Sequence, residues 1–148
     1  MEIRYKIESM EETGFSYNPN FNYDSIDLNA VTYQFEHSIN PNKEKSELSL
    51  SMTAEITPGS SNVILARESI YAVFRLEPFD KVIQIQKDGF RTTQPLLIDT
   101  FVNVGIGALR GMMVKNLKGT PLARSIMPLI PMDVIRQNTS RLTDDKTQ

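Results

Sequence analysis

The sequence predicts an α+β fold built on four antiparallel strands, followed by a long helix and a short C-terminal helix. Three observations carry that prediction. Apolar and polar residues alternate along stretches of the first half, the pattern of strands with one buried and one wet face. Chain breakers fall between those stretches, at Asn18-Pro19-Asn20, Asn40-Pro41-Asn42 and Pro58-Gly59-Ser60-Ser61. Beyond them lies one long apolar segment with helical spacing, closed by Gly119.

Each element has its own signature. Ile3, Tyr5 and Ile7 alternate with Glu2, Arg4, Lys6 and Glu8 in the first strand. In the second, Val31, Tyr33, Phe35 and Ile39 alternate with Thr32, Gln34, Glu36 and Ser38. The third is the clearest, with Leu48, Leu50, Met52, Ala54 and Ile56 on one parity. The Pro58–Ser61 breaker joins it to a fourth strand as a hairpin. That strand, Asn62 to Leu76, is partly apolar on both parities, with Val63, Leu65, Tyr71 and Val73 on the second. A second apolar face implies contact with something outside the sheet. After Glu77-Pro78 about twenty residues follow without a clear period, a length that points to function. Their apolar members, Phe79, Val82, Ile83, Ile85 and Phe90, either form a contact surface or fold back on the core.

The long helix is expected from Asp99 or Thr100 to about Lys118. One stripe on it is Leu97, Phe101, Val104, Ala108 and Met112, and another is Val102, Ile106, Leu109 and Met113. A helix apolar on two sides and packed on one sheet has a face left to bury. Gly107 and Gly111 each cost roughly 1 kcal/mol relative to Ala in a helix interior, and close approach of another backbone is the natural compensation. Oligomerisation through this helix is therefore expected. An apolar connector, Ile126-Met127-Pro128-Leu129-Ile130-Pro131-Met132, leads to a short helix capped by Asp133 and running from Val134 to about Leu142. One domain over residues 1–142 and a polar, frayed tail over 143–148 complete the expectation.

Composition narrows the function. The chain of 148 residues is 40% apolar and 23% charged and has no cysteine, which removes thiolate chemistry and suits a reducing compartment. Neither a secretory leader nor an uninterrupted apolar run of about 18 residues is present, so the expected location is the cytosol, without membrane insertion. Residues 1–60 carry ten acids against four bases, whereas residues 61–148 carry eight against twelve. The bases are scattered and not interleaved with aromatics, so nucleic-acid binding is not expected.

Catalytic equipment is missing from the pattern. His37 is the single histidine. It sits on the apolar parity between Phe35 and Ile39, where a structural role is the ordinary one, and alone it cannot build a metal site. No G-x-S-x-G elbow or Walker-type loop occurs. Gly105-Ile106-Gly107 lies inside the helix, not at a strand-to-helix turn as a dinucleotide fingerprint requires. Glu11-Glu12 and Asp144-Asp145 read as solvated acids. No cofactor or metal is expected. What stands in excess is apolar surface, including seven Met, five Tyr and seven Phe; methionine suits adaptable binding surfaces, although Met112 and Met113 equally fit a core.

The order of four strands, long crossover, long helix, Pro-containing connector and short helix resembles the SecB family of export chaperones. The best local match runs from Lys118-Gly119-Thr120-Pro121 to Pro128 and Asp133-Val134-Ile135. Leu65 to Phe74 resembles the family's fourth strand, and Glu12, Phe15 and Asn18-Pro19-Asn20 resemble the end of its first strand. The likeness spans about residues 3–142 and rests on order and spacing. It implies a Greek-key sheet with helices on one side, assembled as a homotetramer, a dimer of dimers. Phe101, Val104, Gly107, Ala108, Gly111 and Met112 would then lie at the subunit interface.

By the same resemblance the protein would be a holdase for unfolded polypeptides, keeping them competent for export. Its apolar groove would have Phe74, Leu76, Phe79, Val82 and Ile83 on one wall and Ile126, Met127, Leu129, Ile130 and Met132 on the other. Delivery to the SecA motor ATPase would use a patch containing Glu12, Leu65 and Glu68. Arg67 stands where the ungapped match wants a family acid, and Ser16 or Tyr17 where it wants another, which weakens delivery more than client binding. The competing expectations are a SecB-like chaperone dedicated to one partner, such as an antitoxin, and a small-molecule-binding or enzymatic α+β domain.

Overall fold

The structure, a computed structural model, describes residues 1–137 and 141–143. It has the expected class. Four antiparallel strands, β1 (Arg4–Tyr17), β2 (Thr32–Asn42), β3 (Glu47–Thr57) and β4 (Ala66–Glu77), form one sheet in the order β1-β4-β3-β2. The long helix α2 (Pro95–Asn116) packs across β3 and β4. Before it, the crossover contains a single turn of helix, α1 (Phe79–Val82), and a hairpin of β5 (Ile83–Gln86) and β6 (Gly89–Thr92). The short helix α3 (Met132–Gln137) follows the connector, and β7 (Arg141–Thr143) pairs in parallel with β6.

The alternation in β3 translates directly into layers. Leu48, Leu50, Met52, Ala54 and Ile56 are buried on the helix side, with Ser49, Ser51, Thr53 and Glu55 opposite. β4 is cleaner than its sequence suggested. Ala66, Glu68, Ile70, Ala72, Phe74 and Leu76 are all buried on one face, while Tyr71 and Val73 are half-buried on the other. The strand starts at Ala66, not Asn62, so Val63 and Ile64 lie exposed in the loop before it and do not make a second apolar face.

β1 is much longer than the alternation at Ile3–Ile7 indicates, because two register shifts interrupt it, between Ile7 and Ser9 and between Glu12 and Gly14. Opposed residues share a face. The helix-side set of β1 is therefore Tyr5 and Ile7 opposite Leu76 and Phe74, then Met10 and Glu12 opposite Ala72 and Ile70, then Phe15 and Tyr17 opposite Glu68 and Ala66. Each bulge flips the parity, and a strict period-2 reading loses the strand at the first one.

The crossover folds back on the core. Phe79, Val82, Ile83 and Phe90 are buried and Ile85 is exposed. Helix α2 begins at Pro95, a residue favoured at the first helical position because its φ is preset and its missing N–H is not needed there. Asp99, expected as a start signal, is instead buried one turn inside and pairs with Arg136. The side of α2 facing the sheet buries Ile98, Phe101, Val102, Ile106, Leu109 and Met113, each worth roughly 1.5–3 kcal/mol relative to exposure. Gly105 lies on that side. A Cβ there would come within 2.5 Å of Leu50 Cδ2 and 2.8 Å of Met52 Sδ, so this glycine, not Gly107 or Gly111, is the close-approach residue of the monomer.

The C-terminal helix is shorter than expected, ending at Gln137, with Asp133 in its first turn and not at its cap; Leu142, expected in it, belongs to β7. Residues 144–148 of the expected tail lie outside the described residues.

Candidate functional site

The connector between α2 and α3 is the most exposed apolar segment of the described chain. Leu129 is 89% and Ile126 56% exposed, Ile130 and Met132 are half-buried, and Met127 is buried. Pro128 and Pro131 limit helix or ladder formation here, so the segment needs other partners for its backbone. Arg110 of α2 supplies them: its Nε donates to the carbonyl of Met127 at 2.8 Å and its Nη2 to that of Pro128 at 2.9 Å. Upstream, the Tyr33 hydroxyl donates to the Ser125 carbonyl, and the Ser125 hydroxyl to the Leu28 carbonyl at 3.4 Å. Burial pushes the Tyr33 phenol up to about 12, so it remains a donor at neutral pH. Two elements thus hold the connector by its backbone, with Met127 turned into the core and Ile126 and Leu129 turned out.

The opposite wall expected for a groove is not open in this structure. Phe74, Leu76, Phe79, Val82 and Ile83 are all buried. The cause is geometric: Phe74 and Leu76 lie on the helix side of β4, and the Phe74 ring stacks on Phe101 with centroids 4.3 Å apart and planes 13° from parallel. A void lined by Ile39, Leu48, Leu50, Phe74, Ile98 and Phe101 holds only about 10 Å³, room for one water at most.

A second exposed surface lies along α2 and the edge strand β1. Gly107 and Gly111 are exposed, with open space where a Cβ would project, and Val104, Ala108 and Met112 are half-buried beside them. Phe101, expected in the same stripe, is buried instead and meets the Tyr5 ring edge-on at 5.9 Å. Tyr5 and Ile7 are more than half exposed because α2 covers β3 and β4 but leaves much of β1 uncovered. Leu96, at 75%, extends the apolar surface at the helix start.

Of the residues expected to dock a motor protein, only Glu12 is exposed. Leu65 and Glu68 are fully buried. Asn116, the last residue of α2, donates from Nδ2 to Glu12 Oε2 at 2.6 Å and to Glu68 Oε1 at 2.7 Å, so both acids point toward the helix. The signal for Glu68 was its parity, since it alternates with Arg67 and Ser69 and shares the apolar side of β4 with Ala66 and Ile70. The sequence did not single out Arg110 or Asn116, whose partners lie 17 or more positions away.

His37 sits on the helix-side parity of β2, its ring 5.5 Å from that of Phe35. Among the described residues no three His, Cys, Asp or Glu side chains converge as a metal site would require. No protein-family model matches the chain, and no curated protein or solved structure matches it either.

Proposed function

We propose that this protein is a non-catalytic, self-associating chaperone of the SecB type that holds unfolded polypeptide segments on its exposed connector. The observation that carries this reading is the segment Ile126–Pro131, an apolar stretch braced by Arg110 and Tyr33 yet left open to solvent at Ile126 and Leu129. Burial of apolar area is non-directional and worth about 25 cal/mol per Å², so such a surface accepts many sequences without a code. Three strands in hairpin succession with the first strand beside the last, in the order β1-β4-β3-β2, support the Greek-key arrangement of that family. The client surface in this reading is Ile126, Leu129 and Ile130 together with half-buried Met132. The buried residues of β4 and the crossover belong to the core.

Self-association uses the outward side of α2, where Gly107 and Gly111 admit a close neighbour, together with the uncovered residues of β1. A homotetramer built as a dimer of dimers is the expected form, in the cytosol. Docking of SecA would fall on Glu12, since Leu65 and Glu68 are buried. That loss of two patch residues favours the second reading, a chaperone of the same kind dedicated to one partner.

The test is capture of a reduced, unfolded model protein. The wild-type chain should suppress its aggregation, and the pair Ile126→Asp with Leu129→Asp should lose most of that effect while keeping its circular dichroism and molar mass. Wild type that protects nothing and binds no unfolded chain would end the proposal. Pull-down dominated by one protein would select the dedicated reading. For assembly, Gly107→Leu should lower the molar mass in light scattering; an unchanged mass removes α2 from the interface.

A further inference from the structure

Glu68 is the only carboxylate of β4 on the helix side, and it is fully buried between Ala66 and Ile70. An acid in an apolar layer is costly unless it is paired or uncharged. The groups around it identify its partner. β3 offers the methyl of Ala54 directly opposite, with Met52 and Ile56 on the same face. Within β4, Arg67 and Ser69 point to the other face, where Arg67 lies 3.7 Å from Glu55. α2 offers the Asn116 amide, with Lys115, and then Lys118 in the following turn, on the exposed side. β1 offers Glu12 on the same face. No ion pair among the described residues reaches Glu12 or Glu68.

Two carboxylates therefore meet at the C-terminal end of a helix, where unpaired carbonyls already carry partial negative charge. The Asn116 amide gives one hydrogen to each. That leaves Glu68 Oε2 buried without a partner and the charge uncompensated. One proton held between two such acids removes the repulsion, because like charges this close disfavour joint ionisation.

We infer that Glu12, Glu68 and Asn116 form a proton-held clasp that ties the C-terminal end of α2 to β1 and β4. With one proton the clasp is closed; without it two anions face each other under the helix end. Burial first, and then a hydrogen bond that protonated Glu68 donates to the Glu12 carboxylate, raises Glu68 to about 7, against a smaller lowering by Asn116. Because the folded value lies above the unfolded one, the contribution to stability is complete below the ordinary carboxylate value of 4.5 and is lost as pH rises through about 7. The clasp joins the helix and the edge strand that border the proposed assembly surface, yet it does not depend on that proposal.

The experiment is a titration of the full chain between about pH 5 and 8, followed by the side-chain amide resonances of Asn116 and by thermal unfolding. The amide signals should move with a midpoint near 7, and the unfolding temperature should fall across the same range. Glu12→Gln, on the exposed side, should lower the midpoint by about one unit by removing the neighbouring charge. Glu68→Gln should abolish the titration and flatten the stability profile. Amide signals that stay fixed over this range, or a Glu12→Gln midpoint equal to wild type, overturn the inference. If Glu68→Gln does not fold, the Glu12→Gln comparison decides alone.

Discussion

Three glycines of α2 have opposite physical roles although the sequence presents them alike. Gly105 faces Leu50 and Met52 at distances a Cβ could not keep, whereas Gly107 and Gly111 face open space. Gly105→Ala should therefore destabilise by about 1–2 kcal/mol, overpacking exceeding the gain in helix propensity. Gly107→Ala and Gly111→Ala should each raise the stability of the isolated subunit by up to about 1 kcal/mol. Denaturant melts at low protein concentration check both, and a Gly105→Ala chain at least as stable as wild type would contradict the packing described. Spacing along the chain does not separate the three, because only the rotation of α2 on the sheet decides which glycine meets β3. For Glu68 the buried face was legible from its parity with Ala66 and Ile70, but its partner was not, because Asn116 arrives 48 positions later.

Elements with an uninterrupted period were legible and the interrupted ones were not. β3 came through whole because its alternation has no fault, whereas the bulges of β1 reset the parity twice. The elements of the crossover, four residues each, are too short to display any period. The final helix differs from its sequence expectation because its attachment is tertiary. Arg136 of α3 reaches Asp99 of α2 with both Nε, at 3.4 Å from Oδ1, and Nη2. Hydrogen bonding and charge from Asp99 raise the guanidinium pKa. Asp99 is buried while Arg136 remains half exposed, so the pair is screened on one side only. Arg136→Ala should cost about 1–2 kcal/mol, a value reduced from that of a fully buried pair by this exposure. It should also speed hydrogen exchange in α3 more than in α2. Equal protection of α3 in both chains would show that the pair does not anchor it.

At the scale of the molecule, one sheet carries one principal helix and the cover is incomplete. The class of fold was readable because strands and helix separate along the chain; the location of the binding surface was not, because core and groove residues share the same apolar composition. α2 illustrates the ambiguity: its mean hydropathy of 1.3 over 18 residues would suit a membrane span, yet its inner side packs against β3 and β4. A charge at Phe79 would therefore unfold the chain and not merely disarm a groove. β2, β3 and β4 are neighbours in sequence order, whereas β1 pairs only with β4 within the sheet. Leu50→Ala, in the central strands, should lower stability by about 2–5 kcal/mol and slow folding, while Tyr17→Ala in β1 should act mainly on the unfolding rate; chevron plots separate the two. The same topology governs synthesis. Arg4–Tyr17 leave the ribosome before the other three strands of their sheet, but their seat does not exist until Ala66–Glu77 have followed. Until then this protein therefore exposes the kind of unpaired, partly apolar segment that a chaperone would hold.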